Sequence, residues 1–211
     1  MTEQDTGQPT AAQLAEQLLP DSAMEEFAQQ IADQVESFLV ALQAISREED
    51  GGATISLLLL EVSQLLLAGA RLGAQADFTP DQEYQPDVGP DPDLDAMRMR
   101  LATLLDPVDT YSYVFDPYVP EVVTANLSDE LTAIASDVAN GLRHFRHGHV
   151  NEALWWWQFS YVSSWGTSAT AALSALHSIV THSRLDADDD LDAEQVAAAD
   201  EMLGGVETAG R

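Results

Sequence analysis

Between residues 21 and 184 the apolar positions fall at intervals of three and four, the helical period, and the points where that rhythm stops divide the chain into five segments. In the first, Met24, Phe27, Ile31, Val35, Phe38, Leu42 and Ile45 mark one face of a helix that opens on a Ser22/Glu25 capping-box spacing and reaches about Arg47. Asp50, Gly51 and Gly52 then make a turn. From about Thr54 to Gly73 leucines fall on more than one face and Glu61 and Arg71 are the only charges, so this helix is expected to be buried between neighbours. Residues 74–93 hold Pro80, Pro86, Pro90 and Pro92 among many acids and read as a solvated, mobile loop. A shorter helix follows from about Asp93 to Leu105, with Leu94, Met97, Leu101 and Leu104 inward, and Asp106-Pro107 stops it.

The pattern then changes period. Tyr111, Tyr113, Phe115 and Tyr118 alternate with other residues around Asp116-Pro117, an extended reading, because a residue before proline avoids the helical region. Helical spacing returns with Leu127, Leu131, Ile134, Val138, Leu142 and Phe145, capped by Asn126 or Ser128. Asp129 and Glu130 lie in its first turn and Arg143, His144, Arg146 and His147 in its last, each sign favourable to the helix dipole, and Gly148 ends it. A tight turn leads into a long last helix reaching about Arg184, antiparallel to the one before it.

That last helix opens on three consecutive tryptophans, which at about 100° per residue fan over an arc wider than an ordinary apolar stripe. The row from Trp155 through Phe159, Val162, Gly166, Ala169, Leu173, Leu176 and Val180 is uniformly apolar or small and is expected to be the buried seam. The row from Trp157 through Tyr161 and Trp165 suits a second helix at close range. Trp156 heads a row of hydroxyls and is therefore the indole that needs a cover, either the 106–126 segment or a partner. The linker aromatics are expected to close on this fan.

Composition narrows the chemistry. The chain has 211 residues, no cysteine, and a formal net charge of −28, most of it within residues 21–184 and not at the ends. Disulfides, thiolate zinc sites and cysteine nucleophiles are excluded. So acidic a body repels phosphate backbones, which argues against direct nucleic-acid binding while leaving it able to dock a basic partner or mimic nucleic acid. The stretch from Ala153 to Ser183 has no Asp, Glu, Lys or Arg but is rich in Ser and Thr, which suits a central helix better than a membrane span. A polar, acidic start without a signal pattern leads to the expectation of a cytoplasmic protein. All eight basic residues are arginine, a mark of a high-GC genome more than of chemistry.

No catalytic constellation emerges. The acid runs Asp91 to Asp95 and Asp186 to Asp192 lack the glycine and terminal glutamate of a calcium loop. Asp137, His144 and His147 share a helix face, but histidines beside two arginines at a helix end read as a solvated last turn in preference to a metal site. Phosphate loops, His-Glu-x-x-His and nucleophile elbows are missing, and His177 on an apolar seam reads as a core residue. No metal, cofactor or catalytic residue is therefore assigned.

Tyr113-Val-Phe115-Asp116-Pro117-Tyr118, Leu127-Ser-Asp129-Glu130-Leu131, Gly141-Leu142 and the run from Ala153 to Gly166 together resemble a bacterial family of unknown function, family 5063, in its actinobacterial branch. The likeness covers roughly residues 20–185 and implies a soluble, helical, intracellular protein without an assigned activity. In that pattern histidine stands before the Trp-Gly pair and again two residues after it, where this chain has Ser164 and Ser168.

These readings lead to an all-α, mostly antiparallel bundle of about five helices over residues 21–184, with a polar extension at 1–20 and an acidic tail at 185–211. The expected role is non-enzymatic: a homo-oligomer or complex subunit meeting a protein partner through the aromatic region or the acidic surface. A small-ligand or enzymatic site between the 106–126 linker and the last two helices is the alternative, and an acidic nucleic-acid mimic is a third. The candidate surface comprises Tyr113, Asp116, Tyr118, Asp129, Arg143, Trp156, Gln158, Tyr161 and Trp165.

Overall fold

The computed structural model describes residues 21–48 and 53–185. They form α1 (Asp21–Ile45), α2 (Thr54–Gly73), α3 (Asp95–Leu104), an antiparallel hairpin of β1 (Thr110–Asp116) and β2 (Val119–Asn126), α4 (Leu127–Arg146) and α5. Helix α5 starts as Val150–Ser160, passes through a π-helical turn at Tyr161–Trp165 and continues to residue 185. The fold is predominantly all-α. Helix α1 packs on α2, α4 and α5, and α5 in turn packs on α2 and α4, so the core lies between the two longest rods. The weak helical patterns at 11–19 and 193–203, the Asp50–Gly52 turn, the 1–20 extension and the tail beyond residue 185 lie outside the described residues.

Spacing alone located most of the core. Ile31, Val35, Phe38, Leu42 and Ile45 of α1 are buried, as are Leu127, Leu131, Ile134, Val138 and Leu142 of α4. Helix α2 departs from expectation. Leu58, Val62, Leu65 and Leu72 are buried, but Leu57, Leu60 and Leu67 form an exposed stripe, because α1 and α5 cover only one side of the helix. It is the one helix among the described residues with the length and hydropathy, 1.6 on average, to suit a bilayer.

The expected seam of α5 holds for only half its length. Gly166, Ala169 and Leu176 are buried, whereas Trp155 is only partly buried, Phe159 is 52% exposed and Val162 72%. Upstream, the inward residues are Ala153, Leu154, Trp157 and Gln158. The π turn is the cause: the Gly166 N–H donates to the Tyr161 carbonyl, closing a wider loop that holds one extra residue. One extra residue rotates everything beyond it by about 100° relative to everything before it. A row drawn at constant pitch therefore crosses from the outside of the helix to the inside.

Two connections differ from their expected form. The loop at 74–94 is pinned along the body: the Phe78 and Asp81 amides donate to Gln158 and to buried Glu152, at 2.9 and 3.2 Å, and Arg143 holds Asp91 at 2.8 Å and the Pro90 carbonyl. The linker at 106–126 is a β-ribbon, paired from Thr110 opposite Asn126 to Val114 opposite Val122, with a register break between Val114 and Asp116. Its base is fastened by Asp109. The Asp109 carbonyl accepts the Leu127 amide, and its carboxylate accepts both the Ser128 amide and the Ser128 hydroxyl at 2.8 Å. The cap of α4 thus comes from Asp109, since Asn126 makes no side-chain cap bond and the Ser128 hydroxyl acts as a donor.

Candidate functional site

Three glycines make room for the aromatic centre. A Cβ at Gly141 would overlap the Trp157 indole, and one at Gly69 or Gly166 would overlap the Tyr161 ring. Trp157 is fully buried and donates its indole N–H to the Val138 carbonyl at 2.9 Å. Trp165 is buried against Tyr161, ring centroids 4.8 Å apart. Trp156 is partly buried and donates to the Asp137 carbonyl at 2.8 Å, so α4, and not the 106–126 segment, supplies its hydrogen-bond partner. Trp155 is partly buried as well, and it stacks on exposed Phe159 at 5.2 Å.

The linker aromatics do not close on this fan. Phe115 and Tyr118 face water, Tyr118 at 93% exposure, while Tyr111 and Tyr113 stack on each other at 5.6 Å. Val119 and Val122 of β2 are also exposed. Between the ribbon and α5 lies an open groove in two connected parts, of about 660 and 440 Å³. Tyr113 lines it from one wall and Tyr161, Thr170 and Ser174 from the other. A third, shallow cleft of about 430 Å³ meets it at Ser174 and runs between α5 and Leu59 and Ser63 of α2.

Among the described residues no acid and no arginine lines any of these three spaces, and His182 and His177 are the titratable residues there besides the tyrosine phenols. Burial, assisted by the charge of Glu130 and by Tyr113, pushes the Tyr111 phenol well above its ordinary value, and burial and Glu130 push Tyr113 up too. Both rings therefore stay protonated donors at neutral pH. The Tyr111 hydroxyl has no hydrogen-bond partner among the described residues.

The remaining residues singled out in the sequence are dispersed. Asp116 accepts the Tyr118 amide within its own turn, and Asp129 pairs with Arg98 at 3.3 Å. Arg143 serves the 74–94 loop. Gln158 is buried and satisfied, donating to the Leu72 carbonyl at 3.0 Å and accepting from Phe78. Asp137 accepts a hydrogen bond from Ser164 at 2.8 Å; burial raises its pKa and that bond opposes the rise. His144 is buried at the α4–α5 corner near His149 and Glu152, not solvated as the sequence suggested. Among the described residues no group of three or more His, Asp or Glu is placed to hold a metal ion, Asp137, His144 and His147 included. Sequence spacing placed Ser174 in the hydroxyl row headed by Trp156 without assigning it to a site, and passed over Asp109, because an aspartate beyond the helix it caps carries no local signal.

Fold and site define a class: a helical bundle bearing a lateral two-stranded ribbon, with an uncharged groove between ribbon and last helix. The chain belongs to the DUF5063 family, a domain of unknown function, whose sequence pattern matches residues 22–182. Its fold is similar to the crystal structure of protein BF1032 from Bacteroides fragilis, at 18% identity and a TM-score of 0.58, over 71% of this chain and 89% of that one. No curated protein matches it.

Proposed function

We propose that this protein is a non-enzymatic interaction subunit that meets a protein partner across one uncharged face, made of the β-ribbon, the hydroxyl row of α5 and the leucine stripe of α2. One observation carries the reading: in a chain of net charge −28, three adjoining grooves have no acid or arginine in their walls among the described residues; exposed Phe115 and Val162 line them, exposed Val122 pairs with lining Val114, and exposed Leu67 lies one turn beyond lining Ser63. Monomers seldom expose apolar surface in a contiguous patch unless something binds it, and interface centres are depleted in charge. The actinobacterial branch and a cytoplasmic setting belong to the same proposal, supported by the run from Trp155 to Gly166, the all-arginine base set and the absence of cysteine.

Photo-cross-linking tests it. Benzoylphenylalanine placed at Val122, Val162 or Leu67 of the full chain is expected to give a discrete adduct in native cytosol, whereas the same group at exposed Glu26 of α1 gives none. Adducts absent from all three face positions, or equal at Glu26, overturn the reading.

A further inference from the structure

The groove touches β1 in an unusual way. Successive side chains of a strand point to opposite faces, so a cavity lying against a face meets every second residue. Here Thr110, Tyr111, Ser112, Tyr113, Val114 and Phe115 all line it, and no residue of β2 does. The groove therefore runs along the outer edge of β1, the side away from β2. Among the described residues the sheet has two strands, and no backbone hydrogen bond from 111–116 reaches anything but β2. Across the gap stand Gly166, Thr170, Ala171, Ser174 and Ser178 of α5, small or hydroxyl-bearing.

Unpaired strand edges are templates for another strand, and proteins usually blunt them with charge, proline or a bulge. Pro120 and Glu121 lie in β2, and the register break lies at the tip of the ribbon, while β1 from 110 to 115 has neither charge nor proline. At ordinary strand spacing, rise and sheet separation, the two parts of the groove have room for about four and about three residues of extended chain. That matches the seven residues of β1.

We propose that β1 receives a third strand, an extended segment of a protein partner that is uncharged at its centre and basic at its ends; this rests on the interaction reading above. Backbone pairing with the β1 edge supplies affinity, and side chains on one face of the added strand sit among the hydroxyls of α5. Charge selects the occupant. Among the described residues the walls are uncharged, but at the tip the lining residues Phe115 and Pro117 flank Asp116, and at the base the lining residue Pro107 follows Asp106. Residues 186–211 of this chain carry nine acids and one arginine, and a second copy brings a further −28, so both are repelled where a basic-ended segment is drawn in.

Panning an unbiased random-peptide display library on the immobilised full chain, and in parallel on Ser174→Trp, tests this. Ser174 is exposed and borders every part of the groove, so the indole fills the space without disturbing the core; Thr170→Trp is the second plug should the first fail to fold. Enriched peptides are expected to alternate in polarity and to carry Arg or Lys at their ends. Synthesised with a fluorophore, they should slow amide exchange at 110–116 about tenfold or more and bind a plugged variant about tenfold more weakly. The proposal is overturned by no enrichment over the plugged variants, by peptides with acidic ends, or by protection of α2 amides in place of β1. It is equally overturned if the outward-facing β1 amides, those not bonded to β2, are already protected without peptide: loss of that protection on dilution means a second copy, and persistence means the chain's own segment. Peptides that protect only α2 leave the interaction reading standing, whereas absent cross-links at Val122, Val162 and Leu67 remove that reading itself.

Discussion

The α4–α5 junction and the β-ribbon both carry aromatic residues, and they use them in opposite ways. At the junction Trp157 is fully enclosed, its N–H is bonded and Gly141 gives up a side chain to admit it. On the ribbon Phe115 and Tyr118 remain in water, both outer strand edges are unpaired among the described residues and a groove separates β1 from the helix. The first region is complete within one chain. The second has polar backbone and apolar side chains that nothing in the described residues satisfies, which is the physical difference between a core and a contact surface.

If that contrast is sound, substitutions in the two regions should separate stability from binding. Trp157→Ala removes a buried indole and its hydrogen bond and is expected to cost about 4 kcal/mol in urea unfolding, the range for large-to-small aromatic changes. A cost under about 1 kcal/mol would mean the junction is not the closed region described here. Gly141→Ala, a single added methyl against the same ring, is expected to cost about 2 to 3 kcal/mol by overpacking. The two changes act on one contact, so their effects in the double variant should fall short of the sum.

The corner beside that junction should respond to acid. Burial lowers the His144 pKa, His149, Arg143 and His147 lower it further, and Glu152 opposes them. Between that lowered value and the ordinary one near 6.5, the unfolded chain binds a proton that the folded chain refuses. The stability tied to neutral His144 is thus fully present above about pH 6.5 and is lost as the pH falls through that value toward the folded one. Thermal unfolding at pH 7.5 and 5.5 should show a drop of a few degrees that His144→Gln largely removes. An unchanged drop in the variant would place the acid sensitivity elsewhere.

The smallest expected change in stability is on the ribbon. Val122→Ser should alter unfolding by no more than about 0.5 kcal/mol, as ordinary surface substitutions do, yet weaken capture of the partner. A cost above about 1.5 kcal/mol would show that Val122 already has an intramolecular neighbour, and the contrast between the two regions would narrow.

Local pattern made the bundle legible: three-and-four spacing in α1 and α4 picked out Ile31 to Ile45 and Leu127 to Leu142, and Gly148 marked the end of α4. It misled in α5, because a periodicity argument assumes constant pitch and the π turn at Tyr161–Trp165 breaks it. It misjudged the loop at 74–94 because proline and acid describe the segment's own preferences, while Gln158, Glu152 and Arg143 hold it from elsewhere in the chain. Of the nine candidate surface residues, Tyr113 and Tyr161 share the groove; the others were grouped by aromatic or polar type, and type does not encode which wall a side chain faces.

What the sequence determined by itself was the set of helices, the extended character of the 110–126 segment and the acidity, since each follows from interactions between near neighbours or from composition. Tertiary structure alone decided that the extended segment folds back as a ribbon, that Asp109 caps α4 from across its base, and that β1 stands edge-on to α5 with an uncharged gap between them. Those outcomes depend on contacts between residues far apart in the chain, and neither hydrophobic period nor residue type carries that information.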